Sequence, residues 1–346
     1  MRLKVLPLVC AIALNFAFLP SLQAKEFPAP STVSAEMAKT ISAQPGALWL
    51  SSAEKAQDVS AMAADYAKSA GPAAEALADK LNVRVETGTL GGVPTFTLTP
   101  GNLPADRKDK VVFYIHGGGY ILGHGVSGIG EGALLAGLEH YKVVCVDYRM
   151  APEHPFPAAI DDAFAAYKAL VKEVGAQNIV VFGTSTGGAM TLILALQAYR
   201  DKVPMPAALI SGTPWSDINK IGDSYFVNDG VDNVLVTYDR LISTAARLYV
   251  GKANSKDPLI SPVYASDTEL KAFPPTLLLS GTRDLFLSNT VRMQKRLFEN
   301  KVDVDLIVYE GLSHAQYYLD TAAPETTEHY GFLGQFLEKV FKQRIN

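Results

Sequence analysis

The chain has 346 residues, of which 48% are hydrophobic and 19% charged, and its formal net charge is −4. This composition is typical of a globular protein with a sizeable core, and it excludes a chain that is disordered over most of its length. The slightly acidic balance argues against nucleic acid as a partner.

The first 24 residues have the pattern of a targeting segment. They read MRLKVLPLVCAIALNFAFLPSLQA, with a basic start, an apolar run over residues 5–19 and a small residue before Lys25. This pattern predicts a secretory signal peptide and a secreted or periplasmic mature protein. The run is shorter than a transmembrane helix, so we expect no stable membrane span. Removing the segment leaves Cys145 as the remaining cysteine, and in the apolar stretch VVCVDY it is expected to be a buried free thiol.

The rest of the chain reads as helices, then a hairpin, then alternating strands and helices. Residues 25–82 have apolar side chains at helical spacing, which predicts two or three amphipathic helices. Residues 83–99 alternate around Gly91-Gly92, which predicts an antiparallel hairpin at a sheet edge. Short apolar segments follow, most of them separated by helical stretches, as a parallel sheet requires. These predicted strands are VVFYIH, VVCVDYR, IVVFGT, AALISG, TLLLSG and VDLIVYE.

A long connection separates the fourth and fifth of these strands. It covers residues 213–275 and contains the helix-like segment VLVTYDRLISTAARLYV. Because a crossover helix needs far fewer residues, we expect an insertion folded over the edge of the sheet.

Residues 178–200, NIVVFGTSTGGAMTLILALQAYR, read as a buried strand, a glycine-flanked serine and a helix. The sequence around Ser185 matches G-x-S-x-G, in which a sharp strand-to-helix turn exposes a nucleophilic serine. An ordinary turn that happens to contain a serine would give the same short match, so the rest of the chain has to decide between the two.

Polar residues follow three other predicted strands. The first strand ends in HGGGY, the fifth is followed by Asp284 and the sixth by His314. Ligands of parallel sheets bind beyond the carboxyl ends of the strands, where these groups would meet Ser185. We therefore predict that Ser185 is a nucleophile, that His314 is its general base and that Asp284 orients the imidazole.

The glycines after the first strand complete the predicted machinery. The backbone N–H of Thr186 and those of Gly117, Gly118 and Gly119 are candidates to bind the oxyanion that forms during acyl transfer. The order serine, aspartate, histidine along the chain is the one expected for an α/β-hydrolase.

Other side chains compete for these roles. Asp284 could instead cap the helix that follows it, and Asp303 and Asp305 are rival acids. Four other histidines have no metal-ligand spacing, so we expect structural or solvated side chains and no metal site. These histidines are His124, His140, His154 and His329.

A nucleotide-binding protein is the alternative from another class. Residues Gly123 to Gly128 match G-x-G-x-x-G, and Asp147 ends the next predicted strand. However, seven residues separate Ile115 from Gly123, whereas this fingerprint should follow its strand at once.

Several longer motifs resemble those of one enzyme family, the hormone-sensitive-lipase-like α/β-hydrolases, in their bacterial esterase branch. The resemblance covers residues 83–340. Its motifs are HGGGY (116–120), DYRMAPEHPFPAA (147–159), GTSTGG (183–188), DPLISPVYA (257–265), GTRD (281–284) and GLSH (311–314).

The resemblance implies a mostly parallel, eight-stranded sheet flanked by helices, under a helical cap. The cap would be built from the N-terminal segment 25–82 and from the insertion at about 213–275. The catalytic domain would cover residues 83–346 and include that insertion. It also implies a carboxylesterase that acts on small-molecule esters with short or medium acyl chains and needs no cofactor. A structural supporting role is implied for Arg149, Pro152, Glu153 and Pro157.

This chain departs from the family at three positions near the predicted site. Thr184 and Thr186 stand where the family commonly has aspartate and alanine, and Ser288 stands where a second acidic residue often follows the catalytic acid. A lactonase or an acetyl-sugar esterase would use the same triad, and a non-catalytic binding protein could use the same fold. The oligomeric state stays open.

Overall fold

A computed structural model describes residues 28–43, 46 and 48–342; the predicted signal peptide lies outside this range. In the described chain eight strands form one sheet in the order β1-β2-β4-β3-β5-β6-β7-β8. The strands are β1 (Val83–Leu90), β2 (Val93–Pro100), β3 (Val111–Ile115), β4 (Lys142–Val146), β5 (Ile179–Thr184), β6 (Ala208–Gly212), β7 (Thr276–Gly281) and β8 (Val304–Tyr309).

Strands β3 to β8 run parallel to one another, whereas β1 and β2 are antiparallel and form one edge of the sheet. The predicted hairpin and the mostly parallel, eight-stranded sheet are therefore confirmed. Because the six parallel strands point the same way, their carboxyl ends meet at one rim.

Helices cover both faces of the sheet. In β5, Val181 packs against the face that α4 and α5 cover, whereas Val180 and Phe182 pack against the face that α3 and α11 cover. The helices are α1 (Ala35–Ser42), α2 (Ala56–Lys80), α3 (Gly130–Glu139), α4 (Ala158–Val174), α5 (Thr186–Arg200), α6 (Ser224–Val227), α7 (Leu241–Val250), α8 (Asp267–Leu270), α9 (Leu287–Glu299), α10 (Gln316–Leu319) and α11 (Pro324–Lys342). Every helix of the described residues is too short or too polar to cross a bilayer.

The helix expected from VLVTYDRLISTAARLYV is shorter than predicted, because α7 begins only at Leu241. Upstream, the carboxylate of Asp232 accepts hydrogen bonds from the N–H groups of Val234 and Leu235, at 2.9 and 3.0 Å. Val236 then adopts a positive φ of 64°. A side chain that binds the backbone in this way competes with helix formation, and the positive φ ends any helical path.

The helix α2 is longer than the sequence pattern indicates, since it continues through Gly71 and Pro72 over 25 residues. A proline in a helix removes one backbone hydrogen bond. Tertiary packing offsets this loss. A Cβ on Gly71 would lie only 3.0 Å from the Val126 side chain, so the glycine lets α2 pack closely against residues 125–128.

Candidate active site

The turn with the candidate nucleophile covers residues 183–187 and joins β5 to α5; it is called the nucleophile turn below. Ser185 lies at its corner with φ 64° and ψ −120°, and its side chain is half-buried. Its N–H donates to the carbonyl of Gly212 at 2.8 Å, and its own carbonyl accepts from Trp215 at 3.1 Å. Such a backbone conformation costs on the order of 1–3 kcal/mol, so these bonds to the segment after β6 hold the serine in place.

Two glycines make the nucleophile turn possible. A Cβ on Gly183 would lie 2.6 Å from the carbonyl oxygen of Ile115, and one on Gly187 would collide with the same oxygen. The turn therefore sits directly against the end of β3, where side chains larger than hydrogen do not fit.

The acid–histidine loops, residues 282–286 and 310–315, follow β7 and β8. Asp284 is fully buried, and Nδ1 of His314 lies 2.9 Å from its Oδ1. The carboxylate also accepts hydrogen bonds from the Phe286 N–H and the Ser280 hydroxyl, both at 2.8 Å. Since an ionised carboxylate can only accept, Nδ1 carries the proton and Nε2 of His314 is left as an acceptor.

Asp284 does not cap the following helix. The helix α9 begins at Leu287 and has no side-chain hydrogen bond at its N-cap, Phe286. The carboxylate is used instead by His314 and by the loop itself.

The serine and the histidine are not hydrogen-bonded to each other. Nε2 of His314 is buried and has no hydrogen-bond partner among the described residues. Aromatic side chains connect the two regions: the Trp215 ring stacks on Phe286 at 5.2 Å between centroids, and Phe286 meets the His314 ring edge-on at 4.8 Å. The backbone N–H of Trp215 also donates to the carbonyl of Ser185. Both regions therefore belong to the same part of the rim.

The glycine run after β3 lies beside the serine. A Cβ on Gly117 would be 3.2 Å from Cβ of Ser185. Gly118 and Gly119 have φ of 110° and 67°, and across the described chain no hydrogen bond engages either N–H. Thr186 is the first residue of α5, where backbone N–H groups have no intrahelical partner. These N–H groups are of the kind that can bind an oxyanion.

A buried carboxylate from the insertion, Asp232, supports both acid–histidine loops and was missed by the sequence analysis. Its Oδ2 accepts from the N–H of Leu285 at 2.9 Å and from that of His314 at 3.4 Å. Burial, and next the charge of Asp284, raise the pKa of the Asp232 carboxyl to about 6. The only available sequence signal was the pattern Asp-Asn in the insertion, which indicates a turn and gives no sign of burial.

The rival acids lie elsewhere. Asp303 and Asp305 are exposed and pair with Lys339 at 4.0 and 3.4 Å. Among the other histidines, His329 is buried, bonds the Tyr309 hydroxyl at 2.8 Å, and has its pKa lowered to about 3 by burial. Within the described ranges no three potential metal ligands come together.

The glycines at 123–128 have a structural context unlike that of a nucleotide fingerprint. Gly123 packs against the His116 ring so closely that a Cβ would collide with it, and residues Gly125–Gly128 form a 3₁₀ turn. The carboxylate of Asp147 accepts the Gly125 N–H at 2.9 Å. Helix α3 begins only at Gly130 and does not follow β3 directly.

Comparisons with known proteins agree with this architecture. A family described as having the alpha/beta hydrolase fold matches residues 112–318. An acetyl-hydrolase of Streptomyces hygroscopicus is 28% identical, over 72% of this chain and 84% of that protein. A crystallised esterase is 38% identical with a TM-score of 0.85, covering 94% of this chain and 98% of its own. An esterase of the bacterial hormone-sensitive lipase family is 27% identical with a TM-score of 0.76, covering 89% and 99%.

The family match covers more than half of the chain, and the structural match extends over nearly all of it. Three features of the structure fit the same family: the mostly parallel sheet, the strained serine after β5 and the buried aspartate–histidine pair. The chain therefore belongs to the α/β-hydrolase family, among the hormone-sensitive-lipase-like esterases, and is a carboxylic ester hydrolase.

Proposed function

We propose that this enzyme hydrolyses short- to medium-chain carboxylic esters through an acyl-enzyme on Ser185, with His314 as general base and Asp284 as its orienting acid. The observation that carries the proposal is the buried hydrogen bond between His314 and Asp284, 2.9 Å long, at the same rim as Ser185. It leaves Nε2 of the histidine as the free proton acceptor.

The reaction runs in two halves. The Ser185 hydroxyl oxygen attacks the ester carbonyl carbon while Nε2 of His314 takes the hydroxyl proton. The carbon–oxygen bond to the alcohol then breaks, and His314 gives its proton to the departing oxygen. In the second half a water attacks the acyl-enzyme, His314 removes a proton from that water and returns one to Ser185, and the acid leaves.

Backbone groups stabilise the negative oxygen in each half. The N–H groups of Gly118, Gly119 and Thr186 are the donors, with Gly117 supporting the close approach to the serine. Losing one such donor typically costs on the order of 2.7–4 kcal/mol of transition-state stabilisation.

Close packing around Gly119 supports a preference for small acyl groups. The Trp49 ring lies against Gly119, where a Cβ would be 3.2 Å from it, and Ala245 of α7 lies at 3.5 Å. The relative named an acetyl-hydrolase points the same way.

The test is a panel of p-nitrophenyl acetate, butyrate, octanoate and laurate, with a lactone and an acetylated sugar beside them. We expect kcat/KM to be highest among the acetate, butyrate and octanoate and lower for the laurate. Ser185→Ala should lose about 10³-fold or more in kcat while melting like the wild type. Ser52→Ala, at an exposed serine, is the matched control and should keep full activity.

Retention of most ester hydrolysis by Ser185→Ala would contradict the mechanism, and a preference for the laurate would contradict the substrate class. A lactone or sugar ester that exceeds every nitrophenyl ester would replace the simple-esterase assignment and leave the triad in place.

We also propose that the enzyme is exported, from the basic start and apolar run of residues 1–24. Expression of the full chain in a bacterial host should give a periplasmic or secreted protein whose first residue is Lys25. An intact N-terminus in the cytoplasmic fraction would contradict export.

A further inference from the structure

A further buried carboxylate, besides Asp284 and Asp232, contacts the nucleophile turn. Glu131, in the first turn of α3, is 4% exposed. Its Oε2 accepts the Tyr114 hydroxyl at 2.9 Å and its Oε1 accepts the Thr184 hydroxyl at 2.5 Å. No lysine or arginine in the described part of the chain forms an ion pair with it. A buried acid without a cation costs stability, so its presence requires another explanation.

The surroundings of Glu131 contain almost no positive charge. Burial raises the pKa of its carboxyl to about 7, and the hydroxyls of Thr184 and Tyr114 and the nearby His314 oppose this only in part. The other titratable groups that face it come from β3, β4, α10 and α11 and are acids whose own pKa values are raised. They are Tyr114, Cys145, Tyr317, Tyr318 and Tyr330.

Thr184 connects this carboxylate to the nucleophile. It is the last residue of β5 and immediately precedes Ser185. Its hydroxyl oxygen also packs against Gly212, where a Cβ would lie 2.6 Å away. Gly212 in turn accepts the Ser185 N–H, so the side chain and the backbone at this point are held together.

We propose that Glu131 is a positioning residue: its carboxylate fixes the Thr184 hydroxyl and thereby the backbone from which Ser185 attacks the ester. The inference rests on the proposed role of Ser185 as nucleophile. A small displacement of a reacting group can lower the rate about 100-fold. A hydrogen bond that fixes the residue next to the nucleophile can therefore have a large effect on kcat.

The test separates the two hydrogen bonds of Glu131. Thr184→Val removes the hydroxyl beside the nucleophile, and we expect kcat to fall about 10- to 100-fold with KM within about two-fold. Thr184→Ser restores a hydroxyl and should recover most of the rate. Tyr114→Phe, the matched control, removes the other hydroxyl partner of the same carboxylate, in the middle of β3, and should leave kcat within about two-fold.

Glu131→Gln keeps the shape but weakens the bond to Thr184 by removing its charge. We expect kcat to fall about ten-fold without a lower melting temperature at pH 8, because a buried charge is lost. In the double variant Glu131→Gln/Thr184→Val, kcat should be no lower than in Thr184→Val, since both changes remove one interaction.

Wild-type kcat in both Glu131→Gln and Thr184→Val overturns the inference, as does an equal loss in Tyr114→Phe or fully additive effects in the double variant. If Thr184→Val does not fold, kcat of Glu131→Gln and Thr184→Ser decides the matter. Hydrolysis by Ser185→Ala contradicts the proposed function instead, so the two failures are distinguishable.

Discussion

The nucleophile turn and the acid–histidine loops lie at the same rim of the sheet, but they are held by different interactions. The nucleophile turn is fixed by backbone geometry, with Gly183 and Gly187 pressed against Ile115 and a positive φ at Ser185. The acid–histidine loops are fixed by buried carboxylates, since Asp284 and Asp232 accept hydrogen bonds from both loops. The nucleophile turn thus depends mainly on the absence of side chains, with one buried carboxylate, Glu131, bonded to Thr184. The acid–histidine loops depend on two buried carboxylates whose charges burial makes costly.

Apart from removal of Ser185 itself, the largest expected effect comes from removing the charge that orients the histidine. Asp284→Asn should lower kcat by about 10⁴-fold, because the neutral amide no longer holds the imidazole in the tautomer that leaves Nε2 free. The matched control is Asp305→Asn, an exposed acid paired with Lys339, which should retain wild-type kcat. Equal activity of the two variants would remove Asp284 from the mechanism. The measurement is steady-state hydrolysis of p-nitrophenyl butyrate.

The close packing of the nucleophile turn is tested by adding one methyl group. Gly187→Ala should destabilise the fold by about 3 kcal/mol or more, because its Cβ would collide with the Ile115 carbonyl. Gly331→Ala, in α11 with open space around it, should instead stabilise by roughly 0.5–1 kcal/mol. Urea unfolding midpoints measure both. A tolerated Gly187→Ala would show that the turn can relax, contrary to the packing described above.

The pH dependence of stability tests the buried carboxylates of both regions, Glu131 beside the nucleophile turn and Asp232 beside the acid–histidine loops. Burial raises the pKa of the Glu131 carboxyl to about 7 in the folded protein, from an ordinary value of 4.5. Below pH 4.5 both states hold the proton, and between pH 4.5 and 7 the unfolded chain loses it first. The folded state is therefore penalised increasingly up to pH 7, by at most about 1.4 kcal/mol per pH unit.

Glu131→Gln should accordingly gain stability relative to the wild type as the pH rises from 4.5 to 7. Asp232→Asn should do the same over the lower window from 3.8 to about 6. Unfolding free energies at several pH values measure both differences. A constant difference between wild type and variant across the window would contradict the raised pKa of that carboxyl.

The sequence predicts the backbone-determined region well. The motif around Ser185 and the apolar segments specify a strand, a turn and a helix, because glycine spacing and hydrophobic runs reflect local requirements. Asp284 and His314 could be selected because both follow strands that must end at the same rim.

The carboxylates that support the site could not be predicted in the same way. Glu131 reads as an ordinary acidic residue in the first turn of a helix, where such residues are common. Asp232 reads as a turn residue in the insertion, and its bonds to Val234 and Leu235 also explain why α7 begins later than expected. Both gain their roles from contacts with residues more than 50 positions away, which no local pattern records.

The most direct test of the account is covalent labelling with an aryl phosphonate, which forms a stable bond with an activated serine. Mass spectrometry of the wild-type enzyme should find a single adduct on the peptide that contains Ser185, formed in step with loss of esterase activity. Ser185→Ala should remain unlabelled, and Asp284→Asn should label far more slowly. An adduct on a different residue, or complete inactivation with Ser185 unmodified, would contradict the central claim that Ser185 is the nucleophile.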